Sequence, residues 1–138
     1  MYDPTMVQPM RDELKNIGFK ELTTAQEVDE GIGSKQGTAL LVVNSVCGCA
    51  AGQARPGVAL ALTNEVVPDN LFTVFAGQDT EATAQARSYV TGYMPSSPAM
   101  ALFKDGELVF MLERHQIENK TADQVAGSLM EAFGQHCK

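Results

Sequence analysis

The sequence is short of the features that would assign it to most functional classes. Basic residues are scarce: 10 Lys and Arg stand against 17 Asp and Glu, a formal net charge of −7. A nucleic-acid or anionic-membrane partner calls for a basic face, and there is no basic excess to build one. No stretch approaches the roughly 20 apolar residues of a membrane-spanning helix. Met1-Tyr2-Asp3-Pro4 lacks a basic flank followed by an apolar core, so no secretory signal is visible and a cytoplasmic location is expected. Three cysteines are an odd count and too few for a disulfide scaffold, which turns attention to redox or metal chemistry. Repeats, low-complexity tracts and interdomain linkers are missing too. With 138 residues, 44% of them hydrophobic, the chain is expected to fold as one domain over residues 1–138.

What is present centres on one stretch. Ala39-Leu40-Leu41-Val42-Val43 is an unbroken apolar run, the pattern of a strand buried on both faces in a parallel sheet. Asn44-Ser45-Val46 follows, then Cys47-Gly48-Cys49, and Gln53 to Leu62 reads as a helix. Strand, turn, cysteine pair and helix in that order put Cys47 at or just before a helix N-terminus. Unpaired N–H groups and the positive end of the macrodipole collect there and stabilise a thiolate, the reactive form of cysteine. Cys49 lies further round the first turn. Residues i and i+2 of a regular helix face apart, so a Cys47–Cys49 disulfide is expected to distort that turn, with Gly48 supplying backbone freedom. A small-ring disulfide of this kind is comparatively oxidising and easily reduced.

The rest of the chain reads as scaffold. Met6, Val7, Met10, Leu14 and Ile17 predict an amphipathic helix over 5–17, stopped by Gly18. Phe19 to Leu22 is a short strand candidate, and Thr24 with Glu27 forms a capping box for a second helix. Leu71 to Ala76 predicts a second buried strand, and a helix opens at Asp79 or Thr80 and runs through Val90. After Met94-Pro95-Ser96-Ser97-Pro98, the segments 100–104 and 107–112 form a hairpin about Asp105-Gly106. Thr121 caps a last helix carrying Val125, Leu129, Met130 and Phe133. The expected class is α/β: a central mixed sheet in βαβαβαββα order behind an additional N-terminal helix, a thioredoxin-like arrangement with the cysteine pair where that fold carries its redox motif.

Val43-Asn44-Ser45-Val46-Cys47-Gly48-Cys49-Ala50-Ala51-Gly52, Ser96-Ser97-Pro98, the 101–109 segment and Glu113-Arg114-His115 together resemble the bacilliredoxin family, thioredoxin-fold proteins with a Cys-Gly-Cys centre. The resemblance covers nearly the whole chain; Asn119 stands where the family pattern has glycine. It implies a cytoplasmic thiol–disulfide oxidoreductase that removes bacillithiol, or a similar low-molecular-weight thiol, from mixed disulfides on client proteins, or that isomerises disulfides. That thiol would be a co-substrate, and no other cofactor is implied. By position Cys47 would be the attacking cysteine and Cys49 the resolving one. Ser97-Pro98 would be the cis peptide facing them, forming a substrate-binding edge together with Gly48.

Several residues stay open. Cys137, one residue from the C-terminus, reads equally as a third redox cysteine, a partner for an intermolecular disulfide, or a tail thiol. Arg55 and Arg87 are candidate anchors for a thiol ligand's carboxylates, with Arg55 preferred because it falls in the cysteine helix. His115, placed at the end of the last strand, and His136 lack the preorganised four-ligand spacing of a zinc site, so no metal is assigned. Two other functions remain as alternatives: a thiolate metal-binding carrier and a non-catalytic thioredoxin-fold interaction module.

Overall fold

The computed structural model describes residues 1–34 and 36–138. Helix α1 (Pro4–Lys15) leads to a two-residue strand β1 (Lys20–Glu21) and helix α2 (Ala25–Gly31). Strand β2 (Thr38–Asn44) runs into the cysteine turn, a π-helical turn (Ala50–Ala54) and helix α3 (Arg55–Ala61). Strand β3 (Asn70–Phe75), helix α4 (Thr80–Ser88), strands β4 (Ala99–Lys104) and β5 (Glu107–Leu112), and helices α5 (Arg114–Ile117) and α6 (Ala122–His136) complete the chain. The sheet order is β1-β3-β2-β4-β5. The first three strands are parallel, while β4 is antiparallel to β2 and β5 to β4. The expected mixed sheet and element order are therefore present.

Strand β2 is central, and all seven of its residues are buried. Alternate side chains of a strand point to opposite faces. Leu40 and Val42 accordingly join one core with α3, α6 and Leu14 of α1, while Leu41 and Val43 join a second with α2 and α4. A strand covered on both sides has no polar face, which is why it reads as a continuous apolar run. Helix α3 lies close on α6 because Gly57 has no side chain: a Cβ there would fall 2.7 Å from Cγ1 of Val125.

Local signals place the helix starts. Thr24 Oγ1 accepts the Glu27 N–H at 3.1 Å and the Glu27 carboxylate accepts the Thr24 N–H at 3.2 Å, the reciprocal capping box. Thr121 and Gln124 repeat it at α6. The hairpin turns on Asp105 and Gly106, both with positive φ (52° and 83°), the pair of left-handed residues a two-residue turn requires.

Three expectations are corrected. The first helix begins at Pro4, because Asp3 accepts the Thr5 N–H at 2.8 Å, and Met6 points outward while Val7 and Leu14 are buried. Strand β1 spans only Lys20–Glu21, although the Leu22 N–H still bonds to the Thr73 carbonyl. His115 lies in the short helix α5, not at a strand end: a Glu113–Gln116 capping box starts this helix at Arg114, two residues after Leu112, the last paired residue of β5.

Candidate functional site

The end of β2 is held by one side chain. Asn44 accepts from the Ser45 N–H and from Nη1 of Arg55, both at 2.9 Å, and donates Nδ2 to the Met10 carbonyl at 3.1 Å. Arg55 Nη1 also reaches the Ser45 carbonyl at 2.9 Å, and its Nε lies 3.2 Å from Glu13. That last approach is off the N–H axis, so it is an ion pair and not an aligned hydrogen bond. Strand end, α1 and α3 thus converge behind the turn that follows.

In that turn the Ser45 hydroxyl accepts the Cys47 N–H at 3.1 Å. The Cys47 carbonyl accepts the Ala50 and Ala51 N–H groups at 3.0 and 3.3 Å, the first bonds of the helix. Cys47 Sγ accepts the Cys49 N–H at 3.3 Å. Cys47 is thus the residue before the helix, with its sulfur on an otherwise unused N-terminal donor, as helix-end chemistry predicts. Cys47 and Cys49 are joined as a disulfide, their Cα atoms 5.4 Å apart. Both are half-buried.

Helix irregularity falls just beyond the pair. The Arg55 N–H bonds five residues back, to the Ala50 carbonyl. Pro56 follows; it lacks an N–H and its ring crowds the carbonyl four residues earlier, which widens the turn before it. Gly48 is corrected in one respect. Its φ is not in the left-handed region, and a Cβ there would meet nothing within 4 Å, so special backbone freedom is not what the position uses.

Opposite the cysteines, the Ser97–Pro98 bond is cis, with Pro98 buried and Ser97 half-buried. Cys47 and Ser97 line one open groove of about 330 Å³, together with Tyr2, Gly77, Arg87 and Arg114. Tyr2 forms the wall contributed by the N-terminus. Its N–H donates to Gln78 Oε1 at 2.9 Å and its carbonyl accepts from Gln78 Nε2 at 3.0 Å. Arg55, the preferred anchor, does not line the groove; it is 3% exposed, and its donors are engaged behind the turn. Arg87, the other candidate, does line it. Sequence reasoning missed Tyr2 and Arg114 here, and no local pattern marks either, because six separate segments of chain build the groove.

Cys137 sits elsewhere. It packs beside Thr38, Asp69 and Lys104, at the start of β2, and burial raises its thiol pKa. Seven residues of strand separate that end from the cysteine turn, about 20 Å. The structure does not bring Cys137 to the pair. His115 is 68% exposed and 3.9 Å from Glu113, distant in role from the cysteines. Among the described residues no group of three or more His, Cys, Asp or Glu side chains is placed to hold a metal ion.

Comparison with known proteins agrees with this geometry. A family model described as Disulphide isomerase matches residues 2–137. The chain is 50% identical over 137 residues to a bacilliredoxin of Koribacter versatilis, covering 99% of this chain and 94% of that one. It is 53% identical over 133 residues to a bacilliredoxin of Cytophaga hutchinsonii, covering 96% and 98%. The chain belongs to the bacilliredoxin family. Among solved structures, a thioredoxin of Fasciola hepatica superposes with a TM-score of 0.59 at 22% identity, covering 86% of this chain and 99% of that one. The fold is thioredoxin-like. A bacilliredoxin with this fold and a bonded Cys47–Cys49 pair is a thiol–disulfide redox protein. No helix is long and apolar enough to cross a membrane among the described residues.

Proposed function

We propose that the protein removes a low-molecular-weight thiol, bacillithiol or a similar one, from mixed disulfides on client proteins in the cytoplasm. Cys47 is the attacking residue and Cys49 the resolving one. One observation carries the assignment of roles: Cys47 lines the open groove with Ser97 and its Sγ takes a helix N-terminal N–H, whereas Cys49 is the donor of that N–H and does not line the groove.

The steps balance as thiol–disulfide exchange. The Cys47 thiolate attacks the small thiol's sulfur in the mixed disulfide, and the client leaves as a thiolate. Cys47 now carries the small thiol. The Cys49 thiolate attacks Cys47 Sγ, the small thiol leaves, and the Cys47–Cys49 disulfide forms. Two electrons from an external dithiol or thiol pair return the protein to its reduced state. Ser97, ahead of the buried Pro98, supplies backbone groups along the opposite edge. Disulfide isomerisation uses the same nucleophile on a client disulfide. Cys47 bonds one client sulfur, the other leaves as a thiolate, and a client thiolate re-attacks to form a new client disulfide and free Cys47. The Disulphide isomerase description of the family favours isomerisation as the second reading.

Incubation of Cys49→Ala with a model protein carrying a mixed disulfide tests the assignment. A Cys47 adduct bearing the small thiol, seen by mass spectrometry and cleared by free thiol, is the expected result. An unmodified Cys47, or native turnover by Cys47→Ser, overturns it.

A further inference from the structure

Two arginines stand in the groove with Cys47, and the exchange chemistry uses neither. Arg87 comes from the last turn of α4, and Arg114 from the start of α5. Arg87 donates Nη2 to the Ser96 carbonyl at 3.3 Å, a long bond. Its Nε is buried with no hydrogen-bond partner among the described residues. A buried donor left unpaired costs the desolvation of that group, so this guanidinium gains from an acceptor placed beside it. Burial also pushes the Arg87 pKa down, as expected for a cation with no anion beside it. Arg114 reaches the Ser97 carbonyl at 3.4 Å and pairs with Glu118 at 3.1 Å, with both of those side chains about half exposed. Such an exposed pair is weak and gives way to a better anion.

The remaining lining residues are Tyr2, Ser45, Val46, Cys47, Ala76, Gly77 and Ser97, with no carboxylate among them. Among the lining residues the two arginines are the only charged side chains apart from Cys47, whose thiolate is the reacting group. Guanidinium groups present planar forks that match carboxylates. The groove's volume, about 330 Å³, suits a whole small molecule better than a protein segment.

We infer that Arg87 and Arg114 form a carboxylate-binding subsite of the redox groove, which selects small thiols bearing a carboxylate and holds that group while the sulfur meets Cys47. The inference deepens the proposed function and rests on it for the identity of the ligand as a thiol.

One test needs no turnover. Iodoacetate and iodoacetamide attack the same Cys47 thiolate, so the ratio of their rates cancels any change in thiolate fraction and reports the charge around the sulfur. In Arg87→Gln/Arg114→Gln the iodoacetate-to-iodoacetamide ratio falls about tenfold, the size of one lost charge-assisted hydrogen bond. Arg114→Gln alone, at an exposed position where misfolding is not expected, shows part of the fall. A second test compares removal of glutathione and of 2-mercaptoethanol from one model protein. Wild type prefers the glutathione adduct, and the double variant loses that preference in proportion to the alkylation ratio. Unchanged ratios in both tests overturn the subsite. A preference that follows an acidic residue beside the client cysteine, with both adducts cleared alike, gives the carboxylate to the client and overturns the assignment to the small thiol. A lowered alkylation ratio in a protein that clears neither adduct keeps the anion subsite and overturns the thiol-removal reading instead.

Discussion

Strand β2 has a cysteine environment at each end, and the two are opposites. At its C-terminal end Cys47 precedes a helix, its sulfur takes the Cys49 N–H, and it opens on the groove. At its N-terminal end Cys137 caps the last turn of α6, its own N–H donated back to the Phe133 carbonyl, with Thr38, Asp69 and Lys104 around its sulfur. A helix start offers donors and partial positive charge; a helix end offers carbonyls and partial negative charge. Under the proposed function, one residue type serves as a nucleophile at one end of the strand and as a packing group, its pKa raised by burial, at the other. A helix N-terminal donor and an open groove mark the first end, and burial marks the second.

The largest effect expected from breaking this contrast is at the groove end. Cys47→Ser should lower release of a small thiol from a mixed disulfide by at least about 10³-fold, since the nucleophile itself is gone. Cys137→Ser should leave that rate within about twofold. A comparable loss in both variants would abolish the distinction between the two ends.

Next in size is the support behind the groove. Arg55→Met strips donors from the Ser45 carbonyl and Asn44 and leaves Glu13 unpaired, and should cost about 2–3 kcal/mol in urea unfolding. Cys47 reactivity should fall as well, because Asn44 and Ser45 hold the turn. A loss of stability with native Cys47 alkylation would show that the turn keeps its shape without the arginine.

Reactivity itself sharpens the comparison. In the reduced protein near neutral pH, Cys47 should alkylate about tenfold faster than Cys137, followed by peptide mapping. Burial raises the Cys137 pKa, so its thiolate and its alkylation should appear only above the ordinary cysteine range near about 8.5. Equal rates at pH 7 would mean that helix position does not govern either thiol.

The smallest effect belongs to the far end alone. Asp69 accepts from the Thr38 N–H at 3.0 Å and donates its own N–H to the Thr38 hydroxyl at 2.9 Å. Asp69→Ala removes the first of these and should cost about 1 kcal/mol, with Cys47 alkylation unchanged. A shift in Cys47 alkylation would reveal coupling along β2.

Much of this molecule is legible in the sequence because its cues are local. The apolar run of β2, the Thr24–Glu27 box, the Asp105-Gly106 turn and the place of Cys47 all depend on residues a few positions apart. What escaped depends on partners far away in the chain. Arg55 looks like a free cation until Asn44 and Ser45 are folded against it. The Arg11 guanidinium spans 68 positions to Asp79, fastening α1 to the start of α4, and nothing near either residue announces the pair. Cys137 lies outside the pair's reach for the same reason: only the packing of α6 fixes which end of β2 it meets. The short helix α5 was hidden because four residues carry no periodicity, only a cap.

The two-way clasp between Tyr2 and Gln78 has a practical corollary for anyone handling the protein. A single side-chain amide fixes the wall of the groove nearest the chain's beginning, with no strand ladder behind it. A purification handle fused ahead of Met1 would emerge beside the mouth of the groove that Cys47 lines. Handles of different length or charge placed there would change measured rates without touching a cysteine, and a fair comparison of variants keeps whatever precedes Tyr2 the same in all of them.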